Sequence, residues 1–241
     1  CAMELAIETE NGEEIHYWEE KSPGIVCLHE VLGAAGKVDN KPYTCFRGTI
    51  LHPQTARKMP AEVVVKFRQF QLDAISQEVQ LLKEMQGHPN IVELYGCFCA
   101  KPPDVRRVTG VVLTKYHGGE GSLRECVLWK GSIEESKVTC MARSLYSALS
   151  HVHGRRIIHR SVLPEHVLLN YKCEVVLTGF SRAVHLDEQS AFRRILFGTP
   201  GFVAPEIING QDYDEMVDWF ALGATLFFAL DGRELFWSNT E

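Results

Sequence analysis

Residues 159–170 read HRSVLPEHVLLN. A polar opening, a proline at 164 and a closing apolar run, Val167–Leu169, give the rhythm of a loop that holds reactive groups and then enters a buried strand. The positions where an acid, a base or a metal ligand would be sought hold Ser161, Leu163 and His166. A serine hydroxyl hydrogen-bonds but carries no charge and is a very poor base at neutral pH. Leucine brings no polar atom, and an imidazole nitrogen suits a hard, oxygen-seeking cation poorly.

Working outward, Val175–Thr178 reads as a second short strand. After a long loop, residues 214–230 read as a helix apolar on nearly all sides, which must be covered all round. On the other side, SIEE (Ser132–Glu135) fits a capping box. Val138, Met141, Leu145, Leu149 and Val152 then line one face of a helix ending at Gly154. YHGGEGS (116–122) is a Gly-rich connector. Before it, Leu72, Ile75, Val79, Leu82 and Met85 recur at three- and four-residue steps and predict a helix over 72–85. Strands are predicted at Ile25–Leu28, Tyr43–Gly48 and 62–67 (EVVVKF), and within HPNIVELYGCF (88–98) and RVTGVVLTKY (107–116). Residues 1–24 are acidic and poorly periodic and read as an extension or peripheral element. The expected organisation is therefore an extension (1–24), a sheet-rich lobe (25–116) and a helical lobe (117–241).

With 45% hydrophobic and 23% charged residues and a net charge of −6 over 241 residues, the chain can build one large or two small cores. The mild acidity gives no reason to expect a nucleic acid or an anionic membrane as partner. No apolar run approaches the length that spans a bilayer. Eight cysteines scatter without a framework and no Asn-x-Ser/Thr acceptor occurs, which favours a reducing, cytoplasmic setting. The chain begins at Cys1, so its natural start and any leader are expected to lie outside it.

In their order these pieces resemble a eukaryotic protein kinase domain. VVVK (63–66) looks like the strand that ends in a phosphate-pairing lysine, here Lys66, with Glu78 as its helix partner. HRSVLPEHVLL looks like the catalytic loop, LTGFSRA (177–183) sits where Asp-Phe-Gly would be, GTPGFVAPE (198–206) ends in an intact Ala-Pro-Glu, and DEMVDWFALG (214–223) looks like the central helix of the larger lobe. The resemblance implies an α+β, two-lobed fold, with a β-rich N-lobe carrying one main helix and a mostly helical C-lobe. The match stops at DGRELFWSNTE (231–241), short of the further helices the family carries. The chain is therefore expected to be a fragment with a partial C-lobe.

Phosphoryl transfer needs the phosphates held, magnesium bound across them and the attacking hydroxyl oriented by a carboxylate. By the resemblance, that carboxylate is replaced by Ser161, the loop lysine by Leu163, the magnesium-binding amide by His166 and the main magnesium carboxylate by Gly179. Ser181 replaces the glycine after Phe180. Gly33 and Gly36 fall out of step with Gly-x-Gly-x-x-Gly, putting Ala35 at the second glycine and Tyr43 near the third. Val64 stands where an alanine roofs the adenine, Thr114 at the gatekeeper, and Leu168 among the remnants of the nucleotide pocket. Leu82, Leu94, His159, Phe180 and Asp218 match the stacked spine that links the lobes, and Arg160 and Glu206 remain. Ser190 and Thr199 are the acceptors expected in a loop running from Ser181 to Glu206, which Arg160 would meet when phosphorylated.

The expectation drawn from this pattern is a pseudokinase: no enzyme, no ATP or metal as cofactor, and a regulator or scaffold that binds a protein partner, such as an active kinase or a multi-subunit assembly. Two alternatives stay open: a residual ATP-dependent transferase, and a purely structural component of a larger assembly. Lys66–Glu78 reads as an ion pair that fixes the helix as readily as one that holds a nucleotide. Cys97 and Cys99 lack the second pair a zinc site needs. His151, His153 and His159 read as helix-end and spine residues rather than ligands. Ser161 and His166 could be drawn as nucleophile and base, without an orienting acid. The acidic run Glu8–Glu20 reads as a solvated face, with Tyr17 and Trp18 as a candidate docking patch.

Overall fold

The computed structural model describes residues 3–9, 14–19, 25–31, 37–38, 41–51, 62–69, 72–100, 109–115, 119–170, 174–186 and 198–236. The chain divides into two compact units, one of residues 1–83 and 93–116, the other of residues 84–92 and 117–241. The expected Gly33, Ala35 and Gly36, the connector at 116–118 and Ser190 lie outside the described residues, as do the side chains of Tyr17, Trp18, Tyr43, Cys97 and Cys99.

The first unit holds β1 (Met3–Thr9), β2 (Glu14–Glu19), β3 (Ile25–Val31), β4 (Lys37–Val38), β5 (Lys41–Leu51), β6 (Glu62–Gln69), α1 (Leu72–Glu84, whose last residue belongs to the second unit), β7 (Leu94–Ala100) and β8 (Thr109–Lys115). Its strands run in the order β3-β1-β2-β7-β8-β6-β5-β4. A further β3–β5 pairing closes the hydrogen-bonded circuit, which leaves fewer open strand edges. Within the stretch read as an extension or peripheral element, residues 3–9 and 14–19 join the sheet. β1 pairs with β2 so that Leu5 faces Tyr17 and Ile7 faces Ile15 in register, and β2 pairs with β7. The period-2 alternation of Met3, Leu5 and Ile7 carries this pairing, and the acidic composition masks it.

In β6 the alternation is clear. Val63 and Val65 are wholly buried, while Val64 and Lys66, alternating with them, are partly exposed. β-Branched residues of this kind suit a pleated, half-buried surface. Of the predicted apolar face, Val79 and Leu82 on α1 and Met85 just beyond it are buried, together with Glu78 and Leu81.

The second unit holds β9 (Gly119–Ser122), α2 (Leu123–Lys130), α3 (Glu135–His153), β10 (Ile157–Ile158), β11 (Val167–Asn170), β12 (Val175–Leu177), β13 (Val184–His185), α4 (Pro205–Ile208) and α5 (Met216–Asp231). Short 3-10 turns cover Pro164–His166 and Phe180–Arg182. All five predicted face residues of α3 are buried, each contributing roughly 1.5–3 kcal/mol of transfer free energy. Its predicted cap is corrected: the N-cap is Glu134, without a side-chain bond. The capping box sits instead on α2, where Ser122 and Glu125 bond each other's backbone. Ser-Leu-Arg-Glu at 122–125 has the same signature as Ser132–Glu135. The Gly-rich connector ends at that cap, so α2 went unforeseen.

Helix α5 follows the prediction closely, yet it is not covered all round among the described residues. Met216 and Leu230 are exposed, as are Leu235 and Phe236 just beyond it. No described helix is long and apolar enough to cross a membrane.

Candidate functional site

The predicted residues fall in both units. In the first unit, three strands place one row of partners side by side. Leu94 on β7 pairs with Thr114 on β8, and Thr114 pairs with Val64 on β6. Lys66 lies two residues along the same strand face. Its Nζ donates to Glu78 Oε1 at 3.1 Å, and Glu78 is only 3% exposed. The bond to a buried side chain fixes where the Lys66 ammonium points. Leu82, one turn beyond Glu78, is buried in α1.

In the second unit, the loop at 159–166 is pinned by Asp218 in the first turn of α5. The Asp218 carboxylate accepts from the backbone N–H of His159 (2.8 Å) and of Arg160 (2.7 Å), and from His153 Nε2 (2.8 Å). Arg160 sits at φ +60°, a left-handed conformation that few side-chain-bearing residues adopt. The bond from its N–H to Asp218 helps hold it there. The Arg160 side chain donates from Nε to the Arg182 carbonyl (2.6 Å) and from a terminal nitrogen to the Tyr213 hydroxyl (3.2 Å).

His159 is wholly buried. Its Nε2 donates to the Thr178 carbonyl (2.9 Å), its Nδ1 accepts from the Ser161 N–H (3.2 Å), and Phe180 packs edge-on at 4.5 Å between centroids. Burial pushes its pKa down to about 4, against the opposing pull of Asp218. The ring is neutral, as those two bonds require.

His166 Nδ1 lies 2.8 Å from the Ser161 carbonyl oxygen and 3.2 Å from Ser161 Oγ. A carbonyl only accepts, so Nδ1 carries the proton. It therefore offers no lone pair to the Ser161 hydroxyl, and the nucleophile-and-base drawing fails on geometry. Gly179 lies against the same ring at φ +83°. Leu163 is buried and, with Val162, Phe202, Val203 and Ala204, lines a cavity of about 20 Å³, room for roughly one water. An apolar Leu163 suits that wall. Leu168 on β11 pairs with Ser122 and Val176.

The side chains at 161, 166 and 179 are a hydroxyl, an imidazole and none. They do not make the oxygen set that magnesium takes, and among the described residues no group of three His, Cys, Asp or Glu converges. His151 lies against His88, and His153 bonds Asp218.

Residues 44–241 match the family model for the protein kinase domain. The chain is 31% identical over 169 residues to myosin light chain kinase A of Dictyostelium discoideum, covering 69% of this chain and 54% of that one. It is 31% identical over 175 residues to the liver/testis phosphorylase b kinase gamma catalytic chain of Mus musculus, covering 70% and 41%. Against CBL-interacting serine/threonine-protein kinase 24 of Arabidopsis thaliana it is 33% identical over 162 residues, covering 67% and 34%. The matched segment spans between about a third and about half of these relatives.

All three are named as kinases or a kinase catalytic chain. That overturns the expectation, drawn from Ser161, Leu163, His166 and Gly179, of a non-enzymatic regulator or scaffold that uses neither ATP nor metal. That expectation weighed a handful of single positions, while the comparisons weigh most of the chain. By the family match and these identities, the chain belongs to the protein kinase domain family.

Proposed function

We propose that this chain is the kinase portion of a longer protein that transfers the terminal phosphoryl group of a nucleoside triphosphate to a protein hydroxyl. The observation that carries the reading is the similarity to named kinases. The preserved Lys66–Glu78 pair supports it. In this reading Lys66 contacts the nucleotide phosphates as a point charge, Glu78 aims it, and Val64 and Thr114 face the base. His159, Phe180 and Asp218 support the loop at 159–166. The partner is the protein acceptor, and with a net charge of −6 no nucleic-acid partner is proposed. The scattered cysteines support a cytoplasmic setting.

The loop brings a different set of side chains to transfer from an acid-bearing one. Ser161 can hydrogen-bond an attacking hydroxyl but takes up its proton poorly. A positioned base contributes about 10²–10⁴-fold, so turnover is expected below that of an acid-bearing relative by about that factor. The test is incubation of the full-length protein with terminally labelled ATP, magnesium and a general protein acceptor. Incorporation that disappears in Lys66→Met supports the reading. No incorporation, where a control kinase labels the same acceptor, overturns it.

A further inference from the structure

The turn that follows α1 is tied to the rest of its unit through two histidines. His88 accepts the Asn90 N–H at its Nδ1 (3.1 Å), and its Nε2 meets the Ser147 hydroxyl of α3 at 3.0 Å. The His151 ring, one turn further along α3, lies 4.8 Å from it between centroids. His151 bonds the Met85 backbone, while its Nε2 is buried with no hydrogen-bond partner. The same turn is stitched to β12, where the Asn90 side chain donates to the Val175 carbonyl (2.8 Å), Leu177 N–H to Asn90 O (2.8 Å) and Val92 N–H to Leu177 O (3.0 Å).

This arrangement suits only uncharged rings. A proton added to His88 would go on Nδ1 and meet the Asn90 N–H, donor against donor. A proton added to His151 would go on Nε2, where no acceptor waits. Arg155 sits close by, its Nε on the Glu84 carbonyl (2.9 Å) and a terminal nitrogen on the His151 carbonyl (3.1 Å). The neighbouring charged or titratable groups are Arg155, the Glu84 carboxylate and His185, which meets Glu84 at 3.3 Å. Glu84 is partnered by His185 and offers its backbone carbonyl to Arg155.

We propose that His88 and His151 form a neutral-histidine latch, which holds residues 87–92 against α3 and β12 and releases them when the rings gain protons. Both pKa values are lowered, first by burial. The neighbouring His151 and Arg155 add to the effect at His88, and Arg155 adds to it at His151. A histidine whose folded pKa is depressed stabilises the docked turn fully above its free value of about 6.5 and loses that contribution as pH falls below it.

The experiment is amide hydrogen exchange on the full chain at pH 7.5 and 5.5, corrected for intrinsic rates. It follows Ile91, Val92 and Leu177 with α3 amides as internal reference. Opening of the turn should rise by up to about tenfold per histidine over that range, while the α3 reference changes less. The double variant His88→Asn and His151→Asn keeps an acceptor at 88 and a donor at 151 without titration, and should flatten the response. A loss of protection equal across the unit, or one that persists in the double variant, overturns the proposal. Should the double variant fail to fold, histidine carbon shifts in the unaltered chain decide: midpoints at or above about 6.5 for both rings overturn it.

Discussion

The His166 imidazole and Gly179 fill one space. A Cβ built on Gly179 would lie 2.5 Å from His166 Nδ1 and 2.7 Å from Cδ2, at a φ of +83°. Two residues read separately in the sequence as missing metal ligands are therefore one packing unit.

Gly179→Ala should destabilise the chain by about 1–3 kcal/mol, from the contact and the left-handed backbone together. In a His166→Ala background the contact is gone and only the backbone cost remains. Denaturant unfolding of the four proteins of this cycle should give a coupling of about 0.5–3 kcal/mol. An additive cycle would show that the ring and the glycine do not compete for the space.

Asp218 holds the loop through two backbone donors and one imidazole. Asp218→Asn puts an NH₂ among them and turns at least one bond into a repulsion. The expected loss is about 1–3 kcal/mol for each donor left unsatisfied, read as a fall in the urea midpoint at unchanged slope.

His159 gives a pH dependence of known sign. Its pKa in the folded chain is about 4, against about 6.5 when unfolded. The unfolded chain therefore binds the proton first. Stability from this residue is full above about pH 6.5, falls as pH drops, and stops falling below about 4. The total is of order 3 kcal/mol. His159→Gln should remove that part of the slope between pH 6.5 and 4 in urea titrations, and an unchanged slope would assign the acid sensitivity elsewhere.

Lys66→Met leaves the buried Glu78 carboxylate without its ammonium. It should cost about 1.5–3 kcal/mol in thermal or urea unfolding and, under the proposed function, should also end phosphoryl transfer.

Ser161→Asp restores a carboxylate beside the Nδ1–H of His166, which already meets Ser161 Oγ at 3.2 Å. Under the proposed function it should raise turnover by up to about 10²-fold with little change in KM. A variant that folds with unaltered turnover would show that this position does not limit transfer.

Much of the architecture was legible because periodicity follows burial. The face of α3 and the boundaries of α1 came from spacing, α5 to within two residues from its apolar run, and β6 from its β-branched composition. β1 and β2 did not, because a high acidic content obscures a short alternation. α2 did not, because its capping box follows a run of glycines that reads as loop. At the site, residue identities at 161, 163, 166 and 179 were plain. Their reading as an absence of enzymatic function was not upheld, since single positions speak to one step and similarity speaks to the whole domain.

The sequence by itself determined the order of the motif-bearing elements, the apolar face of α3 and the pairing of Lys66 with Glu78, because these depend on local spacing and on a motif order that few folds share. Only the tertiary structure decided that His166 proscribes a side chain at 179, that Asp218 organises the backbone at 159–160, and that His88 and His151 meet as neutral rings. Those relations join residues 13 to 63 positions apart, and their energies come from burial and donor–acceptor geometry, neither of which one-dimensional spacing contains.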